Sequence, residues 1–419
     1  MPQNIFKKAK GTPIKRTQKQ IASIAIVLSI LAFGGIYSFA SDSDRSTSAF
    51  NANNATSLQG SASLSNGVVN FSDPTTTTTT PGTNEPYNIN DYWVTDSWTN
   101  GGIPKSDGAG SDGAFRFNCN PSHLAYVDPI VFPGQNGASH LHMFYGNKKT
   151  NYNSTQTSLK NTGGGSCDGG PLNRTAYWIP AMLDTNGKAR LPINTVVYYK
   201  VTEASISKVQ TMPEGLRMIA GNAKAMAPQN TGHIFYKFKC VDNNGNGSTI
   251  FDEQFTIGNC PSNSRLYMNL AFPQCWDGVN LDSADHKSHL TYLDWGATNC
   301  PSTHPVLLPQ VSLNLAWETG SGTSNGWYFS SDDMTSMGMG KMPGGTTVHA
   351  DWFMAWDDTI LTTWTNNCLK KQLSCFGGQT GDGKNLKRVP LDYPGPLSAD
   401  PPATKTDVVN LPNSGLAGQ

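Results

Sequence analysis

Charged residues are scarce in this sequence. They make up 14% of its 419 residues, against roughly 25% in an average soluble domain. No acidic residue precedes Asp42, whereas six lysines and arginines do. Removing those six from the 30 basic residues leaves 24, against 30 acidic residues in the same part of the chain. This mildly acidic body argues against a nucleic-acid-binding protein.

Several motifs of known chemistry are also missing. The sequence has no glycine-rich phosphate loop, no G-x-S-x-G serine elbow and no H-E-x-x-H zinc motif. These absences argue against the common nucleotide-binding, serine-hydrolase and zincin classes. Because no C-x-x-C pair occurs, we do not expect a zinc site built from thiolates.

Residues 21–40 carry no charge and are long enough to cross a bilayer as a helix. The cations before this run, with Asp42 and Asp44 after it, predict that the N-terminus lies inside and the body outside. Ser38-Phe39-Ala40 also resembles a signal-peptidase site. The segment is therefore either a membrane anchor, which we favour slightly, or a signal peptide cleaved after Ala40 to give a secreted protein.

All eight cysteines follow the hydrophobic run, and an even number in an exported chain indicates disulfides. Many connectivities are open. Pairing by short loops gives these four expected bridges: Cys119–Cys167, Cys240–Cys260, Cys275–Cys300 and Cys368–Cys375.

Composition divides the chain into five segments. They are a basic cytoplasmic leader (1–20), the anchor or signal peptide (21–40), a Ser/Thr/Asn-rich linker expected to be disordered (41–84), an extracellular globular domain (87–393) and a proline-rich tail (394–419).

Strand patterns dominate the globular segment. Apolar residues alternate in four runs: Ile234 to Cys240, Leu266 to Phe272, Val311 to Trp317, and 196–201. One helix is expected where Asp358 can act as a cap, with Ile360, Leu361, Trp364 and Cys368 on one face. We predict a mainly β fold. It is a single antiparallel β-sandwich or jelly-roll-like domain with long disulfide-linked loops and one or two short helices, preceded by the N-terminal transmembrane or signal helix.

The stretch from Cys275 to Pro305 has the highest density of titratable side chains. They are Asp277, Asp282, Asp285, His286, His289 and His304. A carboxylate can orient a neighbouring imidazole for general acid/base chemistry, so Asp285 and His289 are catalytic candidates. We expect Trp276, Asp277, His286 and His304 to bind substrate. The alternative is a disulfide-bounded loop held by Asp-to-backbone hydrogen bonds.

A second candidate site contains His140 and His142. On a strand these two side chains share one face, while Leu141 and Met143 point into the core. Two imidazoles at this spacing suit a divalent metal ion or a polar ligand. Structural histidines are the alternative.

A third candidate site contains His349 and Asp351, which also share a strand face. Asp128 is either a substrate-binding acid or a turn former. We interpret His123 and His233 as structural.

In this order, the clusters resemble a microbial extracellular family known only as a domain of unknown function, number nineteen-ninety-six in its series. The matching motifs are Asp128-Pro129-Ile130-Val131, Ser139-His140-Leu141-His142, Gly215-Leu216-Arg217-Met218, Phe272 to Gly278, Asn280 to Ser283, Asp285 to His289, Cys300-Pro301, His304-Pro305-Val306 and His349-Ala350-Asp351-Trp352. The family commonly has Gly and Phe where Ala350 and Trp352 stand here. Its members often occur beside cell-wall carbohydrate-binding modules. The resemblance implies one exported domain and no assigned activity.

Three functions follow from these observations. The first is a carbohydrate-active enzyme that cleaves a polysaccharide or cell-wall glycan, with catalytic candidates Asp285, His289, His140, His142, Asp351 and His349. It requires two of Asp128, Asp277, Asp285 and Asp351 to converge. The second is a non-catalytic glycan-binding or sensor ectodomain. The third is a metal-binding protein that uses His140, His142 and one of His286, His289 or His349.

Overall fold

The structure is a computed structural model. It describes the backbone of residues 62–65, 68–71 and 203–204 and, with side chains, residues 85–96, 99–106, 112–202, 205–229, 236–243, 247–294 and 296–412. All of these belong to one of two compact units, spanning 49–419. No helix in these ranges is both long and apolar enough to cross a membrane. The predicted anchor or signal segment, 21–40, lies outside the described residues, as does His233.

Strands are the main secondary structure of the described residues. In chain order they are β1 (Ala62–Ser65), β2 (Val68–Phe71), β3 (Trp93–Thr95), β4 (Gly113–Asn118), β5 (His123–Ala125), β6 (His142–Gly146), β7 (Ala176–Pro180), β8 (Met182–Leu183), β9 (Ala189–Arg190), β10 (Asn194–Val201), β11 (Arg217–Gly221), β12 (Tyr236–Asp242), β13 (Thr249–Gln254), β14 (Ser264–Ala271), β15 (Cys275–Trp276), β16 (Leu290–Thr291), β17 (Val306–Leu307), β18 (Gln310–Glu318), β19 (Tyr328–Phe329), β20 (His349–Phe353), β21 (Ser374–Cys375), β22 (Lys384–Leu386), β23 (Ser398–Ala399) and β24 (Val408–Asn410).

Helices are few and short in the part of the chain that the structure describes. The α-helices are α1 (Gln156–Asn161) and α2 (Asp358–Trp364), and a π-helical turn (Thr365–Leu369) follows α2 directly. The 3-10 turns are Ile89–Asp91, Gly170–Leu172, Glu203–Lys208, Ser330–Asp332 and Thr335–Met337. The predicted helix is α2. Its N-cap is Asp357 rather than Asp358, because the Asp357 carboxylate accepts hydrogen bonds from the backbone N–H groups of Thr359 and Ile360.

The mainly β prediction is confirmed, but a single sandwich is not what forms. The described strands make several sheets, of which two are large. The seven-stranded sheet has the order β13-β12-β14-β18-β10-β4-β21, and the six-stranded sheet has the order β11-β20-β7-β6-β5-β24. All pairs are antiparallel except β21 with β4.

The core lies between the two large sheets. Tyr199, from the seven-stranded sheet, receives an indole hydrogen bond from Trp352 of the six-stranded sheet at 3.1 Å. Its hydroxyl also lies 3.0 Å from that of Tyr177. The predicted apolar faces of β14 and β18 are buried in this core. In the run from Ile234 to Cys240, Tyr236, Phe238 and Cys240 are buried, and Ile234 lies outside the described residues.

All four expected disulfides are present: Cys119–Cys167, Cys240–Cys260, Cys275–Cys300 and Cys368–Cys375. Seven of the eight cysteines are buried in the core, and Cys300 is partly buried and packs against it. The bridges therefore join the loops to the sheets from inside.

Two segments outside the expected domain contain strands. β1 and β2 pair within the range expected to be a disordered linker. In the predicted tail, β23 pairs with β9, and β24 adds an edge strand to β5. The folded part therefore continues past residue 393.

Candidate functional site

Three imidazoles from two distant strands converge in the six-stranded sheet. His142 begins β6, His140 lies two residues before it, and His349 begins β20. The Nε2 atoms of His140 and His349 are 3.1 Å apart. One ring nitrogen from each of the three histidines lies within 4.8 Å of the other two. Part of the His140 ring is exposed, and the other two histidines are buried.

Sheet register explains the convergence. β7 lies between β6 and β20, and Trp178 of β7 pairs with Phe144 on one side and Asp351 on the other. His142 lies two residues before Phe144, and His349 lies two residues before Asp351. Since side chains alternate along a strand, His142 and His349 are on the same face of the sheet as Phe144 and Asp351. The opposite face, with Met143 and Trp352, belongs to the main core.

Backbone carbonyls orient two of the imidazoles. The Nδ1 of His142 lies 2.9 Å from the Val127 carbonyl oxygen, and the Nδ1 of His349 lies 2.8 Å from that of Thr347. A carbonyl oxygen only accepts hydrogen bonds, so Nδ1 carries the proton in both rings. Each neutral ring therefore presents the lone pair of Nε2 to the cluster, as metal-binding histidines do.

Two carboxylates complete the cluster. Oxygen atoms of Asp128 and Asp351 and a ring nitrogen of His142 lie within 4.8 Å of one another. Asp128 is 3% exposed and Asp351 is 1% exposed. Asp128 accepts hydrogen bonds from the N–H groups of Ile130 and Val131, both at 2.9 Å. Among the residues that the structure describes, none donates a hydrogen bond to either oxygen of Asp351 or lies within hydrogen-bond distance of the His142 Nε2.

Burial controls the charge state of the cluster. It lowers the pKa of His142 to about 4 and, together with the nearby His142, that of His349 to about 3. Burial also lowers the pKa of His140. The pKa of Asp351 is raised well above its ordinary value by burial and by the nearby Asp128. The imidazoles are therefore neutral near pH 7, as a metal ligand must be.

The dense loop predicted as the centre of the site lies beside this cluster. Within it, the Lys287 ammonium donates a hydrogen bond to the carbonyl of Gly221 at 2.5 Å, and Gly221 pairs with His349 across the sheet. Burial lowers the pKa of Lys287, and the Asp351 carboxylate acts in the opposite direction. The structure thus brings the His-Leu-His segment, the His-Ala-Asp strand and this loop together.

Inside the loop, polar side chains mainly bind one another. His286 lies 3.0 Å from Asp282, whose hydrogen bond raises the pKa of the imidazole. Asp285 accepts hydrogen bonds from Ser283 and Ser288. Burial alone would raise the pKa of Asp285, but these hydrogen bonds together lower it. His289 lies 2.9 Å from the Ser283 hydroxyl and 2.8 Å from the carbonyl oxygen of Arg217.

Three residues that were predicted to bind substrate make hydrogen bonds within the loop. Trp276 is 5% exposed, and its indole N–H donates to the carbonyl of Asn280 at 2.6 Å, so its ring packs in the core and offers no face to a sugar. Asp277 accepts two backbone hydrogen bonds, from Val279 and Asn280. His304 lies 2.9 Å from the carbonyl oxygen of Ser288. These contacts agree with the alternative interpretation, in which the loop is held by its own hydrogen bonds.

Sequence reasoning gave no role to Lys287 or Arg217. Lys287 is a cation beside the buried carboxylates. Arg217 forms an ion pair with Asp282 at 3.5 Å and lies over the Phe353 ring. Two features of the sequence could have pointed to them. Lys287 lies between His286 and His289, and Arg217 belongs to one of the family motifs.

A family model described as "Domain of unknown function (DUF1996)" matches residues 128–356, which is more than half of the chain. Neither a curated protein nor a solved structure matches the chain. The matched range contains all five members of the His/Asp cluster: Asp128, His140, His142, His349 and Asp351. The chain therefore belongs to the DUF1996 family.

Proposed function

We propose that the His/Asp cluster binds one divalent transition-metal ion. The Nε2 atoms of His140, His142 and His349 are the nitrogen ligands, and Asp351 is the carboxylate ligand. Two nitrogens bound to one tetrahedral ion at about 2.05 Å lie about 3.3 Å apart, and the His140–His349 separation of 3.1 Å supports this arrangement. Imidazole with carboxylate is a ligand set that suits zinc, copper, nickel and iron.

The observation that carries this proposal is the state of Asp351 and His142. A hydrogen bond from His140 to His349 would explain the contact between those two rings without a metal ion. It would not explain Asp351, whose two carboxylate oxygens are buried and accept no hydrogen bond from any described residue. Nor would it explain the neighbouring Nε2 of His142, which is also buried without a hydrogen-bond partner among the described residues. Buried polar atoms almost always have partners, and an unpaired buried carboxylate is costly. One cation between these atoms satisfies all of them.

The metal prediction is tested on the purified full chain. After removal of bound metal and dialysis against Zn²⁺ or Cu²⁺, elemental analysis is expected to find about one ion per chain. The His142→Gln/His349→Gln double variant removes two ligands, so we expect about a tenth of that content or less. His304→Gln is the matched control, because His304 lies in the neighbouring loop and outside the cluster. Equal metal content in the double variant and the control would contradict the site.

We further propose that the chain is exported and acts on a polysaccharide or cell-wall glycan. The hydrophobic segment with its cationic flank supports export, as do the four disulfides. The approach of Asp128 to Asp351 supports cleavage, because retaining glycosidases use carboxyl groups roughly 5 Å apart. Since both acids are buried, a glycan reaches them only if the residues that cover them move aside. A metal ion held by the three histidines and Asp351 would instead supply an activated water as the nucleophile.

This second proposal predicts release of reducing ends from polysaccharides by the unaltered chain and at least about a hundredfold slower release by Asp351→Asn. The control is Asp277→Asn, because Asp277 holds a turn away from the cluster. Retention on glycan resin without cleavage would support the glycan-binding or sensor ectodomain instead.

A further inference from the structure

Four methionines lie within nine residues: Met334, Met337, Met339 and Met342. We call residues 334–342 the methionine loop. The chain has 12 methionines in 419 residues, so this density is far above its average. Met337 is 57% exposed and Met339 is 44% exposed, whereas methionine is usually a core residue.

The backbone folds the loop into one closed turn. The N–H of Met334 donates to the carbonyl of Gly340 at 2.9 Å, and the N–H groups of Met337 and Met339 both donate to the carbonyl of Met334. Gly338 and Gly340 have φ of 75° and 76°, which glycine adopts without strain. Met334 is fully buried, whereas the exposed Met337 and Met339 both start from this turn, two residues apart. Their thioethers therefore lie on flexible arms that start from one small region.

The composition of the loop favours a soft ligand over an apolar partner. Methionine is its only large apolar residue type, and the others are Thr335, Ser336, Lys341 and two glycines. Protein-docking surfaces are enriched in aromatic residues and Arg as well as in Met, and the loop contains no aromatic residue and no Arg. Thioether sulfur is a soft, neutral donor that prefers Cu(I) to hard cations such as Mg²⁺ and Ca²⁺.

Both ends of the methionine loop are anchored beside the His/Asp cluster. On one side, the Ser330 hydroxyl donates to the carbonyl of Leu141, between the two histidines of that segment. On the other side, the Thr347 carbonyl accepts the hydrogen bond of His349 Nδ1. Asp332 joins the two sides, because its carboxylate accepts hydrogen bonds from the N–H groups of Gly345 and Thr347.

From this arrangement we propose that the methionine loop is a Cu(I)-binding site. Its ligands are the thioether sulfurs, with Met337 and Met339 first among them because they are exposed. The site is separate from the imidazole centre and does not depend on a metal ion being bound there. The flanking residues Ser330 and Thr347 are hydrogen-bonded to the segments that carry the imidazoles, whereas Met337 and Met339 face solvent.

The test uses the full chain under anaerobic conditions. Cu(I) is titrated in competition with a chromophoric Cu(I) chelator, and affinity is compared for the unaltered chain and for Met337→Leu/Met339→Leu. Leucine keeps the apolar volume and removes the sulfur, so we expect the double variant to bind Cu(I) about tenfold more weakly or worse. Met226→Leu is the matched control, because Met226 is 60% exposed and lies outside the loop. Equal affinity in the double variant and the control overturns the proposal.

A second measurement keeps the proposal testable if the double variant does not fold. Ag(I), which is soft and does not change oxidation state, is added to the unaltered protein while the methionine methyl resonances are recorded by NMR. We expect the Met337 and Met339 methyl groups to shift and the Met226 methyl group to stay in place. The same shifts are expected in His142→Gln/His349→Gln, so loss of the imidazole centre and loss of the thioether site are distinguishable. No shift at Met337 or Met339 overturns the proposal.

Discussion

Burial lowers the pKa of several histidines in this chain. His123 is an example that is not one of the candidate metal ligands. Its ring stacks on Phe144 with centroids 4.5 Å apart, and its ring nitrogens lie 2.6 Å from the Ser122 hydroxyl and 3.0 Å from the Thr150 carbonyl oxygen. Both nitrogens of the neutral ring are therefore satisfied. Burial lowers the pKa of His123 to about 4, which agrees with the structural role predicted for it.

This pKa predicts a loss of stability in mild acid. Above pH ~6.5 His123 is neutral in both the folded and the unfolded chain. As the pH falls below that value, the unfolded chain binds a proton first, and the folded chain follows only near pH 4. From pH 7 to 5, His123 should therefore lower the free energy of unfolding by about 2 kcal/mol.

Urea unfolding of the unaltered chain and of His123→Gln at both pH values measures this contribution. The variant is less stable at pH 7 but should lose less stability between pH 7 and 5. An identical pH-dependent loss in both proteins would show that His123 does not titrate in this way.

At the scale of elements, the connection from β19 to β20 supports the candidate site. Asp332 is fully buried, and one of its oxygens accepts hydrogen bonds from both the N–H and the hydroxyl of Thr347. Its other oxygen accepts hydrogen bonds from the N–H groups of Phe329 and Gly345. One carboxylate thereby closes the base of the methionine loop and holds the segment that leads into His349.

Asp332→Asn is expected to lower the free energy of unfolding by about 2 kcal/mol. The side-chain NH₂ of asparagine cannot accept a hydrogen bond, so the backbone N–H groups that bind that position in Asp332 would lose their acceptor. The matched control is Asp333→Asn, since Asp333 is partly exposed and pairs with Lys341 at 3.7 Å. Chemical denaturation of both variants measures the difference. A loss of stability no larger than that of the control would show that the carboxylate is not needed to hold the connection.

At the scale of the whole molecule, disulfides from the core restrain long loops. The bridge Cys119–Cys167 closes 48 residues, whereas Cys368–Cys375 closes seven. In the chain-entropy account, a bridge that closes a longer loop restricts the unfolded chain more. The longer bridge should therefore stabilise the fold more.

Replacing both cysteines of each bridge with alanine tests this order. We expect about 4 kcal/mol of lost stability for Cys119–Cys167 and about 2.4 kcal/mol for Cys368–Cys375. Denaturation under non-reducing conditions gives both values, and each variant is the control for the other. The reverse order would mean that packing of the sulfurs, rather than loop closure, dominates.

Local spacing was sufficient to predict which side chains share a strand face. His140 and His142 were predicted opposite Leu141 and Met143, and His349 was predicted beside Asp351, because alternation along a strand depends only on neighbouring residues. The burial of Trp276 could not be predicted in this way, because burial depends on what packs above a residue.

The mainly β class and the family were readable from the residues alone, and the four disulfide pairs were the short-loop choice among many open connectivities. Folding of the whole chain was needed to show that β6 and β20 both flank β7, which places His140 against His349 across 209 positions of the chain. The physical reason is that a period of two specifies the face of a strand but not its neighbours, which are chosen by packing of the whole core. The buried state of Asp351, and with it the proposed metal site, follows from that packing.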